Sequence, residues 1–212
     1  MKSPLTINIP FKGLVELKKI IAPASNISSF YLKNGVVEAS LASSGHVVVA
    51  HTNKSHIFEF WSLLLRDPVY FSKAVEVVYN DFTVDQFFYF QSSWFLNKAS
   101  QSRAIYYFIL SCCSLYDTAS KGPYNIKAIT PFTFSKLSNF KMKNFYPLYD
   151  NCVNQLFAVN TAKKTDYILL PIGKYSLNLF EYGKNKGPEM YTFNHKEIHA
   201  RVKDLDKKCI LL

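Results

Sequence analysis

The sequence predicts an α/β protein with a Rossmann-like parallel sheet of about five strands and a helical and loop insertion at about residues 68–140. Two observations lead to this prediction, one on the order of elements and one on chain length and composition. Short β-branched and aromatic runs alternate with segments of helical periodicity, as in a sheet whose parallel strands are joined by helices. The chain has 212 residues, of which 49% are hydrophobic, and this is enough for the core of one domain.

The first part of the chain is predicted to run strand, helix, strand, helix. Phe30–Leu32 and Val47–Ala50 are apolar runs bounded by polar residues or glycine, as buried strands are. Between them, Gly35–Ala42 is long enough for a short helix. A second helix follows, in which apolar residues recur at helical spacing from Ile57 until Pro68 ends the pattern.

Helical patterns dominate the middle of the chain, and strand patterns return near its end. Helices are predicted at Val84–Phe95 and Ala99–Leu115, and Tyr116–Ser138 has the Gly, Pro, Ser and Lys content of a loop. The remaining predicted elements are strands at Leu156–Val159, Tyr167–Leu170 and Cys209–Leu212 and a helix at Thr192–Leu205. A single domain over residues 1–212 is expected, with five strands in the order 3-2-1-4-5.

The net charge of +10 is concentrated in the second half, which favours an anionic partner such as DNA. Residues 1–120 hold ten Lys/Arg and eight Asp/Glu (+2), and residues 121–212 hold fifteen and seven (+8). Between Phe132 and Tyr149 aromatic residues interleave with Lys136, Lys141 and Lys143. Rings beside cations grip single strands and flipped bases. The alternative is that the aromatic side chains face the core and the lysines face water.

Several other classes of protein and site are disfavoured. No apolar run is long enough to cross a bilayer, and the start of the chain lacks the core of a signal peptide, so we expect an intracellular, cytoplasmic protein without membrane contact. The four cysteines lack metal-binding spacing and are expected to be buried thiols. His195 and His199 are one helical turn apart, but without the usual Glu after the first His a solvent-facing helix is favoured and no metal is expected.

Four segments, in chain order, carry a family resemblance, and two helices support it. The segments are Lys12–Leu17, Tyr31–Gly35, Ala50–Asn53 and Leu170–Gly173, and the helices are those that end at Leu65–Pro68 and contain Ala104–Leu110. Together they resemble the Dam-type adenine-specific DNA methyltransferases over nearly the whole chain. The resemblance implies a Rossmann-like fold and an ancestry in S-adenosylmethionine chemistry.

The resemblance places four residues at the cofactor site. Gly13 belongs to the turn that contacts the cofactor, and Gly35 lets the backbone approach S-adenosylmethionine at the end of the first strand. His51 stands where the family has an acid that binds the ribose hydroxyls, while Asn53 is retained. Lys33 is expected to intrude beside the methionine moiety, so the site is expected to be vestigial.

At the catalytic loop the family has Asp-Pro-Pro-Tyr, and this chain has Leu170, Pro171, Ile172 and Gly173. In the family, the acid and a proline carbonyl accept hydrogen bonds from the target amine, and the tyrosine stacks on the flipped base. Leu170 offers no such acceptor, and Gly173 has no ring. Tyr175 is the remaining candidate for stacking on a base.

We therefore expect a reduced methyltransferase relative without catalytic activity, which needs no cofactor and acts as a nucleic-acid-binding or protein-interaction module. The family continues for two more strands, so the edge strand Cys209–Leu212 is a second candidate interface, with a partner or another copy. The alternative is a divergent active methyltransferase that uses S-adenosylmethionine. The resemblance also suggests a bacteriophage protein that acts in the host cytoplasm.

Overall fold

The computed structural model describes residues 3–5, 13–30, 32–114, 119, 122–125, 129–150, 165–170 and 208–211. The helices within these ranges are α1 Leu14–Ile20, α2 Val36–Ser43, α3 Ser55–Arg66, α4 Pro68–Asn80, α5 Val84–Ser93, α6 Ser100–Cys113 and α7 Pro131–Ser138, with a 3-10 turn at Trp94–Leu96. The strands are β1 Asn26–Phe30, β2 Val47–Thr52, β3 Phe145–Tyr149, β4 Tyr167–Leu170 and β5 Lys208–Leu211.

The five strands form one parallel sheet in the order β3-β2-β1-β4-β5. This confirms the predicted α/β, Rossmann-like fold class, and the order has the predicted form 3-2-1-4-5 with a different segment as its third strand. Strands β2 and β3 lie on one side of β1, and β4 and β5 lie on the other. The winding direction therefore reverses between β1 and β4, and sheets of this kind bind ligands at the carboxyl ends of the strands near that point.

The third strand of the sheet is not the one that the sequence predicts. β3 is Phe145–Tyr149, a segment predicted only as an alternation of aromatic residues and lysines. The predicted strand Leu156–Val159 and the predicted helix Thr192–Leu205 lie outside the described residues. Pro147 weakens the strand signal of this segment, and β3 tolerates it because no other described strand pairs with its outer edge.

β1 begins and ends earlier than predicted. It covers Asn26–Phe30 rather than Phe30–Leu32. The sequence pattern did not reveal the first part of this strand because Ser28 and Ser29 are polar. Both hydroxyls make buried hydrogen bonds, of 2.6 and 2.7 Å, so the strand carries polar side chains without losing their partners. The predicted pattern of strand, helix, strand and helix at the start of the sheet is nonetheless correct.

The predicted loop Tyr116–Ser138 is wrong at its end, where α7 forms. Pro131 occupies the first helical position, where its missing N–H is not needed. The Ser72 hydroxyl of α4 donates a hydrogen bond of 2.8 Å to the carbonyl of Phe134, which docks α7 on α4. The loop composition therefore conceals a short helix that is held by tertiary contacts.

α3 connects the sheet to the helical insertion formed by α4 to α7. On the sheet side, Trp61 meets Phe145 of β3 edge to face, with 4.9 Å between ring centroids. On the other side, Phe60 stacks on Phe108 of α6 at 5.9 Å and meets Phe71 of α4 at 5.6 Å. All five rings are buried. The insertion and the sheet thus share one aromatic core.

Polar contacts fix the ends and flanks of the insertion. The Asp67 side chain caps α4 by accepting a hydrogen bond of 2.9 Å from the Tyr70 N–H. Arg103 of α6 forms an ion pair with Glu59 of α3, in which Nε donates to Oε2 at 2.9 Å.

The predicted middle helices correspond to α5 with its following turn and to α6. None of the helices in the described ranges is long and apolar enough to cross a membrane.

The described cysteines lie in apolar surroundings, as predicted. Cys112 and Cys113 are buried near the end of α6, and Cys209 in β5 is half-buried. Burial raises the pKa of the Cys113 thiol to about 12, so this side chain is a poor nucleophile. Cys152 lies outside the described residues.

Candidate functional site

The carboxyl edge of the sheet brings together three of the four predicted cofactor residues. Gly35 follows β1, while His51 and Asn53 lie at the end of β2 and just beyond it. Gly13 is different, since it precedes α1 and has ordinary right-handed backbone angles, φ −78° and ψ −3°. Because the Tyr167 hydroxyl, at the start of β4, accepts a hydrogen bond from the Ala22 N–H, the end of α1 lies near the opposite edge of the sheet.

Gly35 occupies a position that only glycine fits. Its φ is +67°, in the left-handed region, and a Cβ added there would lie 2.3 Å from Cζ2 of Trp61. The backbone of the turn between β1 and α2 therefore packs directly on a buried indole. The Ser3 hydroxyl donates to the Asn34 carbonyl, and Asn34 Oδ1 accepts from the Val36 N–H at 3.3 Å. The turn is held from both sides.

His51 is buried and held in place on two sides. Its ring stacks on Phe30 with 4.4 Å between centroids and 6° between planes, and only 2% of the residue is exposed. Nδ1 lies 2.7 Å from Oδ2 of Asp150, the residue that follows β3. Since a carboxylate only accepts hydrogen bonds, Nδ1 carries the proton, and in the neutral ring Nε2 is left as an acceptor.

Asp150 is a residue that the sequence analysis missed. The resemblance marks His51 as the replacement of an acid, yet Asp150 brings a carboxylate to the same edge from the neighbouring strand. Three acceptors at this edge are buried and lack a hydrogen-bond partner within the described residues: His51 Nε2, Asp150 Oδ1 and Asn53 Oδ1. If β3 had been predicted, the position of Asp150 directly after the run Phe145–Tyr149 would have marked it as a residue of the carboxyl edge.

Glu38, in the first turn of α2, is a second carboxyl that the sequence analysis missed. Oε1 accepts a hydrogen bond of 2.7 Å from the Ser29 hydroxyl of β1. Burial raises the pKa of Glu38, while the Ser29 hydrogen bond acts in the opposite direction. The carboxyl end of β1 is therefore lined by a carboxylic acid whose protonated form burial favours.

The predicted catalytic loop is described only at its first residue. Leu170 is the last residue of β4 and is 1% exposed. An apolar side chain so placed has no oxygen or nitrogen with which to accept a hydrogen bond from an amine. Pro171, Ile172, Gly173 and the candidate stacking residue Tyr175 lie outside the described residues.

Among the histidines in the described ranges, His46 and His51 do not lie together. His46 precedes β2 and His51 lies near its carboxyl end, so most of the strand separates them. Within the described ranges, no three His, Cys, Asp or Glu residues form a group that would hold a metal ion. His195 and His199 lie outside these ranges.

The predicted nucleic-acid residues Lys136, Lys141 and Lys143 are all exposed. They belong to the α7–β3 segment, which we define as residues 131–149. The Lys136 ammonium lies 4.3 Å from the centre of the Phe132 ring, and 66% of Phe132 is exposed. Residues 118–149 contain five lysines and no acidic residue, so no carboxylate in this part of the sequence offsets their charge.

Aromatic residues of the α7–β3 segment divide between core and surface. Phe140 and Phe145 are buried, which agrees with the alternative that the rings face the core. Tyr146 and Tyr149 of β3 are 50% and 57% exposed, so they do not follow that alternative. The segment thus presents both cations and accessible rings to solvent, a combination suited to nucleic acid.

Comparisons with known proteins do not assign the chain to a family. No protein-family model matches it, and a search of curated proteins returns no match.

Proposed function

We infer that this chain is a nucleic-acid-binding module that resembles an adenine-specific DNA methyltransferase and has lost methyl transfer. The observation that carries the binding function is the charge of the α7–β3 segment and the residues before it: five lysines and no acid between residues 118 and 149. Each phosphate neutralised by such a cation releases counterions, which adds affinity without sequence readout.

The exposed groups of the α7–β3 segment support the same function. Lys136, Lys141 and Lys143 reach solvent, and the Lys136 ammonium lies over the ring of the exposed Phe132. A ring paired with a cation at a surface favours stacked, anionic ligands, because the base stacks on the ring and the cation meets the phosphate.

Two features of the carboxyl edge count against methyl transfer. Leu170 is buried and apolar at the end of β4, where the resemblance places the acceptor for the target amine. Asp150 Oδ2 is bound to His51 Nδ1, so this oxygen is not available to the ribose hydroxyls of a cofactor. The Dam-type family that the chain resembles has acceptors at both places, one for the cofactor and one for the target amine.

Gly35 favours a second candidate function, an active S-adenosylmethionine-dependent adenine methyltransferase. The turn with Gly35 at φ +67° follows β1 at the carboxyl edge, where nucleotide-binding α/β folds bind their ligands, although Trp61 fills the space beside its Cα. The buried acceptors of His51 and Asn53 are at the same edge and lack partners in the described part of the chain. They would suit the hydroxyl groups of a bound ligand.

Nucleic-acid binding is tested by fluorescence anisotropy with labelled DNA and RNA across a range of salt concentrations. The triple variant Lys136→Gln, Lys141→Gln, Lys143→Gln is expected to bind at least tenfold more weakly at low salt, because three cations are lost. The slope of log affinity against log salt should flatten by about two for single strands or nearly three for duplex, at roughly 0.7 to 0.9 per phosphate. An unchanged slope would remove the α7–β3 segment from the interface.

The two candidates are separated by calorimetry with S-adenosylmethionine and S-adenosylhomocysteine. We expect no heat of binding and no rise in melting temperature with either compound. Micromolar binding would support the enzyme, and transfer of a labelled methyl group to adenine-containing DNA would then establish it.

A further inference from the structure

The outer edge of β3 can be assigned from its hydrogen bonds to β2. The Val48 N–H donates to the Asn144 carbonyl at 2.8 Å, and the Asp150 N–H donates to the Thr52 carbonyl at 3.0 Å. In a parallel ladder, alternate residues of a strand face the same neighbour. Asn144, Asp150 and the even-numbered residues between them therefore face β2, while Pro147 faces outward.

Pro147 makes this edge a poor template for a further protein strand. It stands at the centre of the outward-facing positions of β3 and has no N–H to donate. An added strand would therefore lack its central hydrogen bond, and proline on an edge is a common protection against such pairing. Addition of a strand from a second chain therefore does not account for the exposed side chains of β3, and a different kind of ligand is favoured.

Two accessible tyrosines flank the outer edge of β3 on opposite faces. Successive side chains of a strand alternate, so Tyr146 and Tyr149 point to opposite sides of the sheet. Tyr149 lies on the α3 side, where its ring centroid is 6.1 Å from that of Phe58. Tyr146 is on the other side with Leu148, which is 43% exposed. An extended ligand along the edge would meet a ring on each face.

Cations lie immediately before these rings in the chain. Lys141 and Lys143 are exposed, and they alternate with the half-buried Met142 and Asn144 as the chain approaches β3. The absence of acidic residues from 118 to 149 leaves these charges without opposing carboxylates nearby in sequence. The edge is therefore complementary to a ligand that carries both flat rings and negative charges.

We propose that the outer edge of β3 binds single-stranded nucleic acid, with bases stacked on Tyr146 and Tyr149 and phosphates next to Lys141 and Lys143. This rests on the nucleic-acid binding inferred above and specifies its substrate class. Stacking on a protein ring needs a base whose face is accessible, which a single strand provides and an intact duplex does not.

The test uses the 212-residue chain and labelled oligonucleotides of about 20 nucleotides, offered as a single strand or as a duplex of the same sequence. The single strand is expected to bind about tenfold or more tightly than the duplex. Tyr146→Leu and Tyr149→Leu should each weaken single-strand binding about tenfold, and Tyr146→Phe should retain it, since the ring and not the hydroxyl does the stacking. Tyr89→Leu is the matched control, because Tyr89 is 65% exposed on α5 and outside the α7–β3 segment.

The outcomes separate this proposal from the proposed function. Equal or tighter binding of the duplex, with no effect of the tyrosine variants, would overturn the single-strand site and leave nucleic-acid binding intact. Failure to bind either form would overturn both. Melting temperatures of the variants near that of the parent protein would exclude misfolding as the cause of weaker binding.

Discussion

The carboxyl edge of the sheet and the α7–β3 segment differ in how far their candidate functional residues are buried and contact other parts of the protein. At the edge, His51 is 2% exposed and bonded to Asp150, and Gly35 packs on Trp61. In the α7–β3 segment, Phe132 is 66% exposed. The His51–Asp150 hydrogen bond and the packing of Gly35 on Trp61 therefore belong to the fold, while the Phe132 ring of the segment is accessible to a ligand.

This difference predicts opposite results from mutation. Changes at the carboxyl edge should lower the free energy of unfolding more than they alter nucleic-acid binding. Changes on the α7–β3 segment should weaken binding and leave stability nearly unchanged. If both regions served one bound cofactor, changes in either region would affect ligand binding, and the effects on stability and on binding would not divide between them.

The largest loss of stability is expected for Gly35→Ala. The new Cβ would lie 2.3 Å from the buried Trp61 ring and would sit on a residue with φ +67°, so strain and overpacking add to about 3 kcal/mol. Gly45→Ala is the matched control, because its φ is +94° but its Cβ would meet nothing within 4 Å, and about 1 kcal/mol is expected. Urea unfolding of both variants measures the difference. Equal losses would show that the indole moves aside.

A smaller loss is expected for Asp150→Ala, because it leaves Nδ1 of the buried His51 without its acceptor. Loss of one partner from a buried hydrogen bond costs about 1–3 kcal/mol, whereas removal of both partners costs less. The double variant His51→Phe, Asp150→Ala keeps a ring to stack on Phe30 and should recover part of the loss. A double-mutant cycle with His51→Phe gives the coupling energy. Additive losses would mean that the two side chains do not interact in solution.

Much of the overall fold could be predicted because strand and helix periodicity depend on residues that are close in sequence. Strand and helix periodicity placed β2, α3 and β4 within a residue or two, and the glycine after β1 marked the turn that requires φ above zero. β3 was missed because Pro147 interrupts a strand that only its position at the sheet edge makes tolerable.

The candidate site was less predictable because its contacts join distant parts of the chain. The His51–Asp150 hydrogen bond spans 99 residues, and no local pattern connects them. Composition also does not reveal which rings are exposed: Phe145 and Tyr146 are adjacent, yet one is buried and the other is half exposed. Burial of that kind is decided by the neighbouring element, here α3.

A pH-dependent effect is expected for Glu38→Gln. Burial raises the folded-state pKa of Glu38 above its ordinary value of 4.5, so the folded chain binds this proton more tightly than the unfolded chain does. The resulting stability is fully present below the ordinary pKa and is lost as pH rises through the folded pKa. The neutral glutamine does not lose it.

The variant should therefore gain stability relative to the parent protein as pH rises above the ordinary carboxyl pKa of 4.5, as measured by urea unfolding at each pH. Glu16→Gln is the control, because the Glu16 side chain is 68% exposed and forms a surface ion pair with Lys19. A difference between Glu38→Gln and parent that stays constant with pH would mean that the Glu38 carboxyl is solvated in solution.

The smallest change in stability is expected for the lysine triple variant on the α7–β3 segment. Lys141 and Lys143 are exposed, and within the described residues no salt bridge involves them. Lys136 lies over the exposed ring of Phe132, a contact worth about 0.5–1 kcal/mol at such a site. Removing three like charges relieves mutual repulsion and offsets part of this loss, so the free energy of unfolding should change by less than about 1 kcal/mol.

This small effect is what makes the comparison of the two regions decisive. If the triple variant unfolds at the same urea concentration as the parent protein but binds nucleic acid at least tenfold more weakly, the lysines act on the ligand and not through the fold. If it unfolds at a much lower urea concentration, the α7–β3 segment is part of the stabilising core, and the separation between a structural edge and a binding surface does not hold.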